Sequence, residues 1–125
     1  MICDTNFLSE LYDEQQTGMQ GPAAAFLARH RPTTFLITVI SLGEVAVIFA
    51  EQADARRFLS RYRTLKLTAE IGYTAALIER ELMLVGGQLG ENDNWIAGFC
   101  RYYGQPLISR DTAFDRVRGL RRVPY

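Results

Sequence analysis

A chain of 125 residues, 48% of them hydrophobic, can bury a real core and is expected to form one domain over residues 1–125. Its formal net charge is +0, which excludes a uniformly basic nucleic-acid binder. No run approaches the roughly 18 apolar residues that a membrane helix needs.

The start, Met1-Ile-Cys-Asp4, is a short apolar run ending at an acid, with no basic region ahead of an apolar stretch, so no secretory signal is expected. Thr5 to Gln15 reads as a helix with Phe7, Leu8, Leu11 and Tyr12 on one face. Thr17 to Gly21 breaks it, Pro22 suits a first helical position, and Ala23 to His30 follows as a short helix. Phe35 to Thr38 reads as a buried strand. Ser41 to Ala50 reads as a helix with Leu42, Val45, Ala46 and Phe49 inward. A further helix is expected from about Asp54 to Tyr62, then a short strand at Leu65-Lys-Leu67. Thr68 is placed to cap a long helix through Val85. Gly86 to Asn92 is a glycine-rich loop, Asp93 to Tyr103 a helix stopped at Gly104, Pro106 to Ser109 a strand, Thr112 to Val117 a helical turn, and Val123 part of a last strand or tail. Strands thus alternate with helices, the pattern of a parallel sheet covered on both faces, an α/β fold.

Four acids stand where these elements meet: Asp4 after the first strand, Glu44 in the first turn of the helix after the second, Asp93 opening the helix after the glycine loop, and Asp111 after the strand that ends at Ser109. Each has an ordinary explanation. Asp4 and Asp93 fit helix N-caps, Ser41-Leu-Gly-Glu44 fits a capping box, and Asp111 suits the positive end of the turn that follows it. As a set they fit a different reading. Ligands of an open parallel sheet sit outside the carboxyl ends of its strands. Carboxylates converging there repel unless a cation holds them, and all-oxygen ligation suits Mg²⁺ or Mn²⁺ rather than zinc. Such an ion lowers the pKa of a bound water and clamps a phosphodiester oxygen, so phosphodiester hydrolysis is the natural chemistry. Thr5, Asn6, Asn94 and Ser109 are the small polar neighbours able to orient metal-bound waters, although capping and turn formation explain them equally well.

Arg101, Arg110, Arg116, Arg118, Arg121 and Arg122 make the end of the chain basic. Arg110, Arg116 and Arg118 are candidate phosphate contacts, against the alternative of a solvated face. His30 ends a helix far from the acids in sequence and is not expected in catalysis. Cys3 and Cys100 have neither metal nor redox spacing and read as small core residues. Gly86-Gly87-Gln-Leu-Gly90 follows no strand and lacks the Lys-Ser/Thr ending of a phosphate loop.

The segments Ile2-Cys-Asp4-Thr-Asn6-Phe-Leu-Ser-Glu-Leu11, Ile40-Ser-Leu-Gly-Glu44-Val, Glu91-Asn-Asp93-Asn-Trp-Ile-Ala97 and Leu107-Ile-Ser-Arg-Asp111-Thr-Ala-Phe114 resemble, in order, those of PIN-domain proteins. The resemblance is greatest to the VapC-type ribonuclease toxins of toxin–antitoxin pairs. It implies a three-layer α/β/α sandwich around a central parallel sheet. It also implies metal ligation by Asp4, Glu44, Asp93 and Asp111, with Asp115 peripheral. It further implies an RNA substrate, a small antitoxin laid over the site and a homodimer, while the absence of a signal or membrane span and the cysteine usage lead to the expectation of a cytoplasmic protein with no membrane association. An RNA-processing nuclease outside any toxin pair and a non-catalytic binding module of the same fold are the alternatives.

Overall fold

The computed structural model describes residues 1–31 and 33–125. In chain order the elements are β1 (Ile2–Cys3), α1 (Thr5–Thr17), α2 (Pro22–Arg29), β2 (Leu36–Ile37), α3 (Val39–Ala46), α4 (Gln52–Leu59), β3 (Arg63–Thr64), α5 (Ala69–Met83), α6 (Glu91–Tyr103), β4 (Leu107–Ile108), a 3-10 helix (Thr112–Arg116) and β5 (Arg122–Val123). The five strands form one sheet in the order β3-β2-β1-β4-β5, and every pairing is parallel. Each strand is two residues long, so successive side chains point to opposite faces and each face receives one residue per strand.

That alternation sorts the core into two clusters. Ile2 and Leu107 face α5, α6 and the 3-10 helix, packing with Ile71, Ile78, Ile96, Phe99 and Phe114. Cys3, Ile37 and Ile108 face the other way, among Phe7, Leu8, Leu11, Phe26, Val45 and Phe58 of α1 to α4. The result is an α/β/α sandwich. Gly98 lets α6 approach α5 closely: a Cβ there would lie 3.0 Å from Ala75 Cβ and 3.3 Å from the Ile71 carbonyl oxygen. Cys3 and Cys100 are both buried and unpaired, and burial pushes both thiols up, away from reactivity. No helix among the described residues is long and apolar enough to cross a membrane.

Several boundaries differ from the sequence reading. The third strand is Arg63–Thr64 rather than 65–67. Leu65 still donates its N–H to the Ile37 carbonyl (2.9 Å), but Leu67, which suggested the strand, is exposed. Helix α4 occupies Gln52–Leu59 rather than 54–62. Helix α3 begins at Val39, and its cap is Thr38, whose hydroxyl accepts the Ser41 N–H at 2.9 Å. Ser41 is therefore an interior residue, fully buried, and no capping box pairs it with Glu44. Helix α3 ends at Ala46, and Phe49 packs from the loop beyond it against Tyr12 and Phe58. Helix α6 starts at Glu91 with Gly90 as its cap, which puts Asp93 at the third helical position rather than at the cap.

Candidate metal centre

The strand order fixes where a ligand site can form. From β1 the chain runs outward to β2 and β3, then crosses back to β4 on the other side of β1. The carboxyl ends of β1 and β4 therefore flank the topological switch point, where open α/β sheets leave a crevice. Asp4 is the first residue after β1, and Ser109 the first after β4.

Asp4 is 4% exposed and caps α1. One carboxylate oxygen accepts the Thr5 N–H at 2.8 Å, and the other accepts the Ser109 hydroxyl at 2.7 Å. The same Ser109 oxygen accepts the Asp111 N–H at 3.1 Å, so one hydroxyl ties the first acid to the loop bearing the last. Asp111 is exposed and caps the 3-10 helix through the Ala113 N–H at 2.8 Å. Glu44, half-buried on α3, accepts the Thr5 hydroxyl at one oxygen and the Asn92 side-chain amide (2.7 Å) at the other. Asp93 is half-buried on α6, its carboxylate close to Gly90. Thr5 thus links Asp4 to Glu44, and Asn92 links Glu44 to the turn that carries Asp93.

Electrostatics ties the four acids into one field. Burial raises the Asp4 carboxyl above the usual carboxylate range, against the lowering effect of its bonds from Ser109 and Thr5, and the charges of Asp111 and Glu44 raise it further. Asp93 is raised by burial and then by Asp4, Asp111 and Glu44. The four ion pairs among the described residues engage Asp54, Glu81, Glu10 and Asp115, so none of the four acids is neutralised by a base. Among the described residues no three His, Cys, Asp or Glu side chains are drawn together as a ready-made cluster. Carboxylates that repel one another have no reason to close up by themselves. A set of uncompensated oxygen donors of this kind fits a hard divalent cation.

The neighbours divide. Thr5 and Ser109 lie in the acid network, while Asn6 is exposed. Asn94 points away: its amide donates to the Ala75 carbonyl of α5 at 3.0 Å, deep in the helix pair. The asparagine that does reach an acid is Asn92, two residues earlier, which sequence reasoning missed.

Of the arginines near the end of the chain, Arg110 and Arg122 pair with acids, and Arg116 and Arg118 are in none of the ion pairs among the described residues. Arg110 pairs with Glu10 (3.0 Å) and lies over the Tyr125 ring, 4.3 Å from its centroid. Arg116 donates to the Ala113 carbonyl at 3.2 Å. Arg118 lies in the loop entering β5, where its carbonyl accepts a bond from Arg101. Arg122 grips Asp115 through two bonds of 2.8 and 2.9 Å and also donates to the Ser109 carbonyl at 3.2 Å. Asp115 is thus held by a base, unlike the four acids. His30 stacks on Phe26 and bonds its carbonyl, within the helix layer.

Comparison with known proteins agrees with this architecture. The family model described as "PIN domain" matches residues 1–120. No curated protein matches the sequence. Among solved structures, a chain of the DNA-bound VapBC from Salmonella typhimurium superposes with a TM-score of 0.78 at 20% identity, covering 98% of this chain and 96% of that one. A chain of VapBC2 from Rickettsia felis, bound to a promoter DNA fragment, gives 0.74 at 20% identity, covering 99% and 97%. A toxin–antitoxin complex from Klebsiella pneumoniae gives 0.74 at 22% identity, covering 95% and 93%. These structures share the fold, and with a family match across nearly its whole length the chain belongs to the PIN-domain family.

Proposed function

We propose that this protein is a metal-dependent endoribonuclease and the toxin of a toxin–antitoxin pair, with Asp4, Glu44, Asp93 and Asp111 as the residues that hold Mg²⁺ or Mn²⁺. The observation that carries the reading is a buried carboxylate, Asp4, at the switch point, sharing its field with three other acids and with no basic partner. Such an ion, when bound, supplies an acidified water and charge stabilisation at a phosphodiester oxygen. In this reading Asp4 is the fixed ligand, because two hydrogen bonds, one of them the α1 cap, orient its two oxygens. Glu44 is oriented by Thr5 and Asn92. Asp93 and Asp111, less buried than Asp4, complete the set of oxygen donors.

The antitoxin and the homodimer belong to the same proposal. One of the fold-sharing structures, that from Klebsiella pneumoniae, is a toxin–antitoxin complex, and α5 with its C-cap leaves Tyr73, Leu77 and Leu84 exposed as an apolar surface for a second copy. The deciding experiment is cleavage of single-stranded RNA by purified protein in Mg²⁺ or Mn²⁺ against EDTA. Metal-dependent cleavage, with growth arrest on expression and rescue by a co-expressed small antitoxin, is the expected result. Cleavage that is unaffected by EDTA removes the metal reading.

A further inference from the structure

At the amino ends of β2 and β3, the edge of the sheet opposite the acids, lies a cleft of about 510 Å³. Arg31, Arg61 and Arg63 line it with Gln15, Phe35 and Tyr62, and none of its described lining residues is acidic. All three arginines are exposed. The ion pairs among the described residues engage Arg57, Arg101, Arg110 and Arg122, and none of these three. Arg61 is held in place without being neutralised: it donates to the Gln15 side-chain oxygen at 3.0 Å and lies 5.8 Å from the Phe58 ring centroid. Three like charges around a concavity focus a positive potential there.

We propose that this cleft binds the phosphodiester backbone of single-stranded RNA at a distance from the cleavage centre, an inference that rests on the nuclease reading. The chain's net charge is +0, and its four uncompensated acids repel every phosphate beyond the one that a cation can hold. Affinity for a polyanion must therefore come from basic surface elsewhere. Of the arginines that follow β4, Arg110 and Arg122 are engaged by Glu10 and Asp115. Guanidiniums pair phosphate oxygens in a planar fork, and the half-buried Phe35 beside them offers a ring edge or face to an unpaired base. Aromatic surface among arginines suits a nucleic-acid strand better than an acidic peptide, which would leave Phe35 without a stacking partner.

The test measures binding rather than turnover. Asp4→Asn protein in EDTA is titrated into a labelled single-stranded RNA of about 12 nucleotides, within the usual site size of such grooves, across a range of salt. In the Arg61→Gln, Arg63→Gln double variant, affinity at 0.1 M salt falls about 25-fold, and the slope of log K against log salt flattens by about 1.4. Both figures follow from two single-strand phosphate contacts at about 0.7 counterions each. Arg31→Gln alone gives about a 5-fold loss by the same arithmetic, and Arg80→Gln, exposed on α5 outside the cleft, gives none. Melting curves confirm that the variants fold, and if the double variant does not, Arg31→Gln decides. Unchanged affinity and slope in folded cleft variants overturn the proposal. A poly-glutamate peptide binding at least as tightly as RNA of equal charge overturns it in favour of a protein partner. Residual cleavage by Asp4→Asn would instead count against the acid site and leave this comparison intact.

Discussion

Replacing Asp4 by asparagine separates a catalytic carboxylate from a capping one. Asn keeps the size of the side chain and remains a good N-cap, so the Thr5 N–H keeps its acceptor. The bond from Ser109 changes character, because the new NH₂ group faces a hydroxyl that must rotate to accept it, while that hydroxyl also receives the Asp111 N–H. Exchanging a hydrogen bond to a charged group, about 1.5–3 kcal/mol, for a neutral one, about 0.5–1.5 kcal/mol, costs on the order of 1 kcal/mol. Removing the charge offsets that loss, since Asp4 is only 4% exposed and both burial and its acidic neighbours disfavour the ionised form. The metal-free variant should therefore melt within a few degrees of the parent, about 1 kcal/mol either way. Cleavage should fall at least about a hundredfold, the upper end of what losing even an outer partner of a metal ligand costs. The assay pairs RNA cleavage in Mn²⁺ with thermal unfolding in EDTA. A folded variant with cleavage within tenfold of the parent refutes Asp4 as a ligand.

Three further outcomes follow from the same geometry. Asn92→Ala should weaken activation by divalent metal about tenfold, by loosening Glu44, with little change in melting temperature, whereas Asn94→Ala should lower the melting temperature and leave metal affinity alone; metal titrations and melts of the two variants that fail to diverge would remove the distinction. In metal-free protein, stability should fall as pH rises through the elevated carboxyls of Asp4 and Asp93, because the folded state there binds more protons than the unfolded chain; the contribution of Glu81 and Asp115, lowered by Arg101 and Arg122, is lost only below the ordinary carboxylate range, so a chemical-denaturation series should show greatest stability on the acid side of neutrality. Gly98→Val should destabilise the fold by about 1–3 kcal/mol, because its side chain meets the Ala75 Cβ and Ile71 carbonyl of a packed helix; a denaturation midpoint equal to the parent's would show that α5 yields.

What the sequence displayed and what it concealed divide along the reach of local rules. The alternation of elements was legible because each strand is a short apolar run between helices, and the parallel α/β sandwich follows from it. Local rules also misled. Ser41-Leu-Gly-Glu44 has the spacing of a capping box, but Thr38, at the carboxyl end of β2, is one turn nearer and takes the cap. Ser41 is then drawn into the core, and Glu44 is left with no capping role to explain it. Leu65 and Leu67 suggested a short strand, yet the edge strand is formed by the polar Arg63 and Thr64, because pairing to β2 rather than an apolar alternation decides it. The choice between Asn92 and Asn94 depends on the rotation of α6, which the packing of Gly98 on Ala75 sets and which no spacing within that segment reveals.

The same logic explains why the acids are better marked in the sequence than the arginines. Asp4, Thr38 and Ser109 each follow a strand directly, and in a parallel sheet every strand leaves at the same edge, so a residue's position after a strand already states its edge. Glu44 and Asp93 reach that edge from the first two turns of helices that start there. The arginines carry no such label. Arg118 and Arg121 follow the 3-10 helix in sequence, near Asp111, yet they precede β5 and so belong to the opposite edge, where the Arg121 carbonyl accepts the N–H of Leu107 as β4 begins. Arg63, which opens β3, lies at that amino edge too. The chain thus sets its uncompensated carboxylates at the carboxyl edge of the sheet and three arginines without an acidic partner, Arg31, Arg61 and Arg63, at the amino edge. Under the proposed function, a chain with net charge +0 would offer a polyanion separate places to be held and to be cut.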